Sequence, residues 1–281
     1  MKIILLLTLS FCITMPARSQ QENYEVYAIK FTSMSQKSAV ADWAYGAPAT
    51  DSINIDFVIW LIKGVNGKNI LLDAGFLNDI EDAKDFAIVN YVRPDSMLLK
   101  LGLKATDITD IILSHPHWDH IDGLNLFPNA QVWIQKEDFN YFVGAAWQKD
   151  GSSGGFNKRD VRMLTDLNMA GRVTLVDGDN KELFPGIKVY TGSRHTFNSQ
   201  FVLVETGVSR IVLASDNIWV YYSLEHMRPP STGGTFDTTA YVKSMQRMKT
   251  LASGNKYIIP GHDSKVFSLF PKVAEGIVKI K

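Results

Sequence analysis

The order of apolar and polar positions along the chain predicts alternating strands and helices. Apolar runs of strand length stand at residues 24–31, 55–63, 69–72, 110–114, 130–135, 172–176, 187–190, 201–205, 210–214 and 257–259. The run around Ile111-Ile112-Leu113 is apolar and branched throughout and reads as a buried strand. Gly64-Val65-Asn66-Gly67 and Thr206-Gly207 supply hairpin turns. Helical spacing appears at 136–146 through Phe139, Phe142 and Val143, and at 157–169 through Val161, Leu164 and Leu167. It recurs at 237–252 through Tyr241, Met245, Met248 and Leu251, a stripe that reads as core. A short helix is expected at 95–103 with Asp95 as N-cap, and another starting at 121–124. Residues 33–52, rich in Ser, Ala, Gly and Pro, carry Trp43 and Tyr45 and read as a loop able to fold over something. There is no repeat of solenoid length, no glycine-rich phosphate loop and no Gly-x-Ser-x-Gly elbow.

Composition narrows the picture. Of 281 residues 46% are hydrophobic and 21% charged, and 29 basic residues balance 29 acidic ones. That is the make-up of a globular protein long enough for a sizeable core. A neutral balance gives no general attraction to nucleic acid, so none is expected as a partner. The first residues read as a targeting segment. Lys2 gives a positive start, residues 3–15 are almost unbroken apolar, and Ala17-Arg18-Ser19 fits a small-x-small cleavage site. Residues 1–19 are therefore expected to be a signal peptide, and residues 20–281 one exported domain, periplasmic or secreted. The apolar run is short for a bilayer, and no later one matches it, so no membrane segment is expected after signal removal. The only cysteine, Cys12, lies in the removed part, which leaves histidine and carboxylate as metal ligands.

The candidate chemistry gathers at His115-Pro116-His117-Trp118-Asp119-His120, directly after the buried run. Neutral imidazole and carboxylate are ligands that zinc, iron and manganese accept. His115 and His117, two apart in extended chain, can point to one side. Asp119 and His120 lie past the bend and reach a second position, so the spacing suits two neighbouring cations better than one. The placement repeats along the chain: a strand runs into His195, another into Asp216 and another into His262. Ligands gather at the carboxyl ends of strands in α/β sheets, so these three are read as joining the cluster at a shared edge of two sheets. The sixth histidine, His226, reads as an exposed helix residue. Asp73 closes the strand at 69–72 and reads as a turn residue, with a supporting hydrogen bond to the centre as the alternative.

These residues resemble the metallo-β-lactamase superfamily. His115-x-His117-x-Asp119-His120, then His195, Asp216 and His262, follow its ligand series in identity and order. The resemblance implies an α/β fold, an αββα sandwich of two mixed sheets with helices outside, and a site for two zinc ions, with iron or manganese as alternatives. It implies that His115, His117 and His195 hold one cation, Asp119, His120 and His262 the other, and that Asp216 bridges them. Within the superfamily the chain is most similar to N-acyl homoserine lactonase-like hydrolases, through Leu101-Gly102-Leu103, Leu126-Phe127-Pro128-Asn129-Ala130 and Pro260-Gly261-His262-Asp263. It departs from them at Trp219, where the lactonases carry a tyrosine that helps polarise the lactone carbonyl. Arg194 and Asn198 also stand where glycines are common.

The reaction this implies is hydrolysis of a lactone, ester or thioester through a metal-bound hydroxide. Asp119 and Asp216 are the catalytic carboxylates, Asp216 orienting the water and handing a proton to the leaving oxygen. Trp118, Trp147, Phe197, Trp219, Tyr221 and Tyr222 are candidates for an aromatic wall, which favours a small-molecule substrate with an apolar portion. A diiron redox or oxygen-dependent enzyme on the same fold is the competing reading, and a zinc-binding module without catalysis a third.

Overall fold

A computed structural model describes residues 24–65 and 67–281. The signal-peptide expectation, and Asn66 of the first hairpin turn, lie outside the described residues. Among the described residues thirteen strands of two sheets frame the site. The first six are β1 (Glu25–Met34), β2 (Asp56–Lys63), β3 (Asn69–Leu72), β4 (Asp110–Ile112), β5 (Gln131–Gln135) and β6 (Val173–Val176). They lie side by side in chain order, antiparallel through β3 and parallel from β3 to β6. The second sheet runs β7 (Lys181–Phe184), β8 (Ile187–Thr191), β9 (Gln200–Glu205), β10 (Arg210–Ser215) and β11 (Ile258–Pro260). Only its last pair, β10 with β11, is parallel. The chain then returns to the first sheet through β12 (Lys272–Ala274) and β13 (Ile277–Lys279), which pairs with β1.

The two-residue period of a strand sorts the apolar side chains into two layers. Val26, Ala28, Val58, Trp60, Ile62, Ile70, Leu72 and Ile112 face the second sheet and pack with Val189, Val202, Val204 and Leu213. Their neighbours Tyr27, Ile29, Ile59, Leu61, Leu71 and Ile111 face the other way, against helices α1 (Pro94–Leu98), α2 (Trp118–Ile121), α3 (Lys136–Val143) and α4 (Lys158–Met169). After α5 (Tyr221–His226), helix α6 (Thr238–Leu251) covers the second sheet with Tyr241, Met245 and Met248. The result is helix, sheet, sheet, helix. Strands covered on both faces account for the continuous apolar runs. Each fully buried Leu, Ile or Phe adds about 1.5–3 kcal/mol of transfer free energy, so these layers hold the strand ends in register.

Several expected boundaries move. The helix expected at 95–103 starts at Pro94, whose missing N–H costs nothing at a first helical position. Asp95 therefore sits in the first turn, not at the cap, and the last turn tightens to a 3-10 helix ending at Leu101. The helix expected from 121 begins at Trp118, because His117 is extended and serves as its N-cap position. Strands β7, β12 and β13 carry too many polar residues, Lys181, Glu182, Lys272 and Lys279 among them, to show as apolar runs. β7 and β12 are short edge strands, where such residues guard against stray pairing. Among the described residues no helix is long and apolar enough to cross a membrane.

Candidate metal centre

Four strand ends supply the site. β4 ends at Ile112 and runs through Leu113 and Ser114 into His115 and His117, and α2 then carries Asp119 and His120 on its first turn. β8 leads through Gly192, Ser193 and Arg194 to His195. β10 ends in Ser215 with Asp216 next, and β11 ends in Pro260 with His262 two residues on. β8 and β10 each run antiparallel to β9, and β11 runs parallel to β10, so all three end at one edge. Arg194 and Ser215, each just before a ligand, hold the left-handed backbone at φ 54° and 47°. Such strain persists only where the surroundings fix it. Gly261 is required for close approach: a Cβ there would lie 2.5 Å from Asp216 Oδ1.

The seven side chains meet in two groups. In the first, His115 Nε2 and His195 Nε2 each lie 3.0 Å from His117 Nδ1. In the second, His120 Nε2 is 3.2 Å and His262 Nε2 3.6 Å from Asp119 Oδ2. Asp216 stands between them. Its Oδ2 is 3.4 Å from His195 Nε2 and 3.9 Å from His115 Nε2. Its Oδ1 is 3.0 Å from His262 Nε2 and 3.4 Å from His120 Nε2.

The outward nitrogens are tied down. His195 Nδ1 donates to Gly234 O at 2.8 Å and His262 Nδ1 to Asp56 O at 3.0 Å. A carbonyl only accepts, so each Nδ1 carries a proton and each Nε2 is left facing the centre. His120 Nδ1 meets Asp73 Oδ2 at 2.9 Å, and His115 Nδ1 meets Ser114 Oγ at 2.8 Å. Asp73 also accepts from Ser114 N, Ser114 Oγ and Ser215 Oγ, so it joins the loops after β4 and β10 from beneath. It holds the supporting position, not a simple turn.

Electrostatics divide the groups. Burial pushes His115 well below the ordinary histidine range and His117 down to about 3, and it lowers His195 as well. Burial also opposes charge on His120 and His262, but the facing carboxylates outweigh it and hold both raised. Burial disfavours the ionised Asp216 too, yet His262 and His120 keep it well below the carboxylate range. Two buried atoms, His120 Nε2 and Asp216 Oδ1, have no hydrogen-bond partner. In the first group three ring nitrogens crowd around one point, where a single ring proton can satisfy at most one pair. A cation satisfies both features, and an all-imidazole and carboxylate set suits zinc, iron or manganese.

Above the centre lies a cavity of about 530 Å³. Trp118 and Trp219 line it, and Met34, Trp43, Phe57, Phe86, Phe156 and Phe236 complete the apolar wall. The other four predicted aromatics do not. Trp147 turns its indole N–H to Phe142 O at 2.6 Å and borders a separate groove. Phe197 stacks on Tyr141 at 4.6 Å between ring centres. Tyr221 and Tyr222 belong to α5, whose turn carries them to another groove beside Lys265. There Tyr222 stacks on the exposed His226 at 4.1 Å. The loop at 33–52 folds over the site. Trp43 packs 5.7 Å from His262, and Tyr45 N bonds Pro229 O at 3.0 Å, which joins this loop to the one before α6.

Fold and site together define a metallo-β-lactamase-type protein with a two-part His/Asp centre. A family model described as the metallo-beta-lactamase superfamily matches residues 58–262, and the chain belongs to that superfamily. It is similar to the N-acyl homoserine lactonase of Bacillus cereus, 28% identical over 63% of this chain and 66% of that protein. It is similar as well to the N-acyl homoserine lactonase AttM of Rhizobium johnstonii, 25% identical over 62% and 65%. These matches span just under two thirds of the length of the curated relatives. Its fold is also that of a Bacillus thuringiensis AiiA variant solved with N-decanoyl-L-homoserine at its active site. That structure is 20% identical, with TM-score 0.69 over 89% of this chain and 97% of the other.

Proposed function

We propose that this protein is an exported, metal-dependent hydrolase that cleaves a lactone, ester or thioester carrying an apolar arm. The observation that carries the reading is Asp216 set between two ligand groups, one carboxylate oxygen toward each, at the floor of an aromatic cavity. His115, His117 and His195 would hold one cation and Asp119, His120 and His262 the other. Bound divalent cations supply a water ionised near neutral pH and Lewis acidity toward the acyl oxygen.

The protein's own part is positioning. Asp73, Gly234 O and Asp56 O orient His120, His195 and His262, so the centre needs little rearrangement. Asp119 and His117 are the half-buried members and border the cavity, where Asp119 would accept a proton from the attacking water. The rings of Trp43, Phe57, Phe86 and Trp118 exclude bulk water and take the apolar arm. Among the described residues the lining holds no lysine or arginine, which suits an uncharged substrate. The similarity to N-acyl homoserine lactonases supports an acylated lactone among the candidates. Residues 1–19 would direct export to the periplasm or beyond. A panel of lactones, carboxylic esters and thioesters assayed on the zinc-loaded protein tests the reading. Turnover of at least one class, abolished by chelation and restored by zinc, is expected; silence across all three overturns it.

A further inference from the structure

Trp219 touches three of the seven ligands by three different means. Its indole Nε1–H donates to Asp216 Oδ2 at 2.8 Å. Its ring stands edge-on to His195, with centres 5.5 Å apart at 78°. Its backbone carbonyl accepts the amide of His262 at 3.0 Å. The residue is itself held on two sides. Tyr241 Oη accepts the Trp219 amide at 3.2 Å, and Trp43 packs on the indole at 5.5 Å. Gly234, whose carbonyl fixes His195, lies flat against it, and a Cβ there would sit 2.5 Å from Trp219 Cη2.

An indole has one polar hydrogen and no acceptor. With that hydrogen directed to Asp216, none remains for a substrate. The resemblance to lactonases implies a substrate-facing tyrosine at this position, and among the described residues the cavity lining contains no tyrosine at all. We infer that Trp219 is a positioning residue of the metal centre. Its N–H fixes the plane of the bridging Asp216 carboxylate, and it does not act as a donor to the substrate carbonyl. A carboxylate oxygen that accepts this bond keeps one lone pair for a cation and cannot swing away from His195. Only the kinetic part of the test rests on the hydrolytic reading.

Three readouts decide it on the full protein. The first is indole N–H NMR of the zinc-loaded chain labelled at tryptophan, with Trp219 assigned by its loss in Trp219→Phe. The signal should exchange slowly with solvent and shift when zinc is added; exchange as fast as an exposed indole overturns the inference. The second is the visible spectrum of the cobalt-loaded protein. Trp219→Phe keeps the ring and should still bind two cobalt ions with displaced bands; an unchanged spectrum contradicts the role. The third is kinetic. Loss of a supporting hydrogen bond should lower kcat about ten- to hundredfold with KM held within about twofold. A raised KM at unchanged kcat would make Trp219 a substrate contact instead. If Trp219→Phe does not fold, Gly234→Ala, which displaces the indole without deleting it, should shift the cobalt bands in the same direction, and no shift counts against the inference. Absence of turnover on every ester, thioester and lactone would sink the hydrolytic reading while the NMR and cobalt arms still judge Trp219.

Discussion

In one half of the centre the imidazoles of His115, His117 and His195 meet nitrogen to nitrogen; in the other, His120 and His262 meet the carboxylates of Asp119 and Asp216. The first half is neutral because burial drives protons off three crowded rings. The second half holds charge because carboxylates lie close enough to outweigh the same burial. A cation entering the first half finds lone pairs already free. One entering the second displaces protons from His120 and His262, so its binding should release protons and strengthen with pH. Asp216 is the one residue that belongs to both.

The largest effect should come from removing that shared residue. Asp216→Ala is expected to leave less than one cation per chain and to lower turnover at least about a hundredfold, the scale of losing one preorganised electrostatic group. Elemental analysis beside the assay checks it, and two cations retained would refute the bridge. The next variant separates the halves. His117→Ala should release one cation and keep the other, with little change in the melting temperature of the metal-free protein, because His117 is half-buried and uncharged. Weaker again is the support beneath the second half. Asp73→Asn keeps a residue type that tolerates the left-handed backbone, here φ 63°, but loses acceptor strength toward His120 and two serines. Metal affinity should fall about tenfold to a hundredfold in a competition titration.

The smallest effect sets the centre's carboxylates against a buried one without imidazole partners. Asp160, in the first turn of α4, is raised to about 9, by burial first and then by the neighbouring Asp122. The folded state thus keeps a proton that the unfolded chain releases near the ordinary value of 3.8. Its contribution to stability is full below that value and drains as pH rises toward 9. Melting temperatures of the wild type should fall relative to Asp160→Asn across pH 5 to 9; parallel curves would contradict this.

What the sequence makes legible follows from how local each signal is. The run from His115 to His120 packs four ligands into six residues, so it stands out unaided. His195, Asp216 and His262 are single residues, legible only because each follows an apolar strand and together they match a superfamily's order. The cavity wall is not local at all. Phe57 opens the long apolar run of its strand, where nothing marks its final position at the cavity; Phe86 ends a 3-10 helix, and Phe156 and Phe236 lie in irregular segments that the fold brings to the same mouth. Tyr221 and Tyr222 follow Trp219 closely in sequence, but the start of α5 rotates them away. The partner of the Trp219 indole depends on a side-chain direction that spacing does not encode. The polar edge strand β7 hides for a related reason, since strands at a sheet margin need no apolar run.

The most direct measurement is a zinc titration of the metal-free protein, with bound metal and ester or lactone turnover followed on the same samples. The account predicts two zinc ions per chain, with turnover rising as the second half fills and falling to background on chelation. Saturation at a single ion, or hydrolysis that persists in the metal-stripped protein, would contradict it.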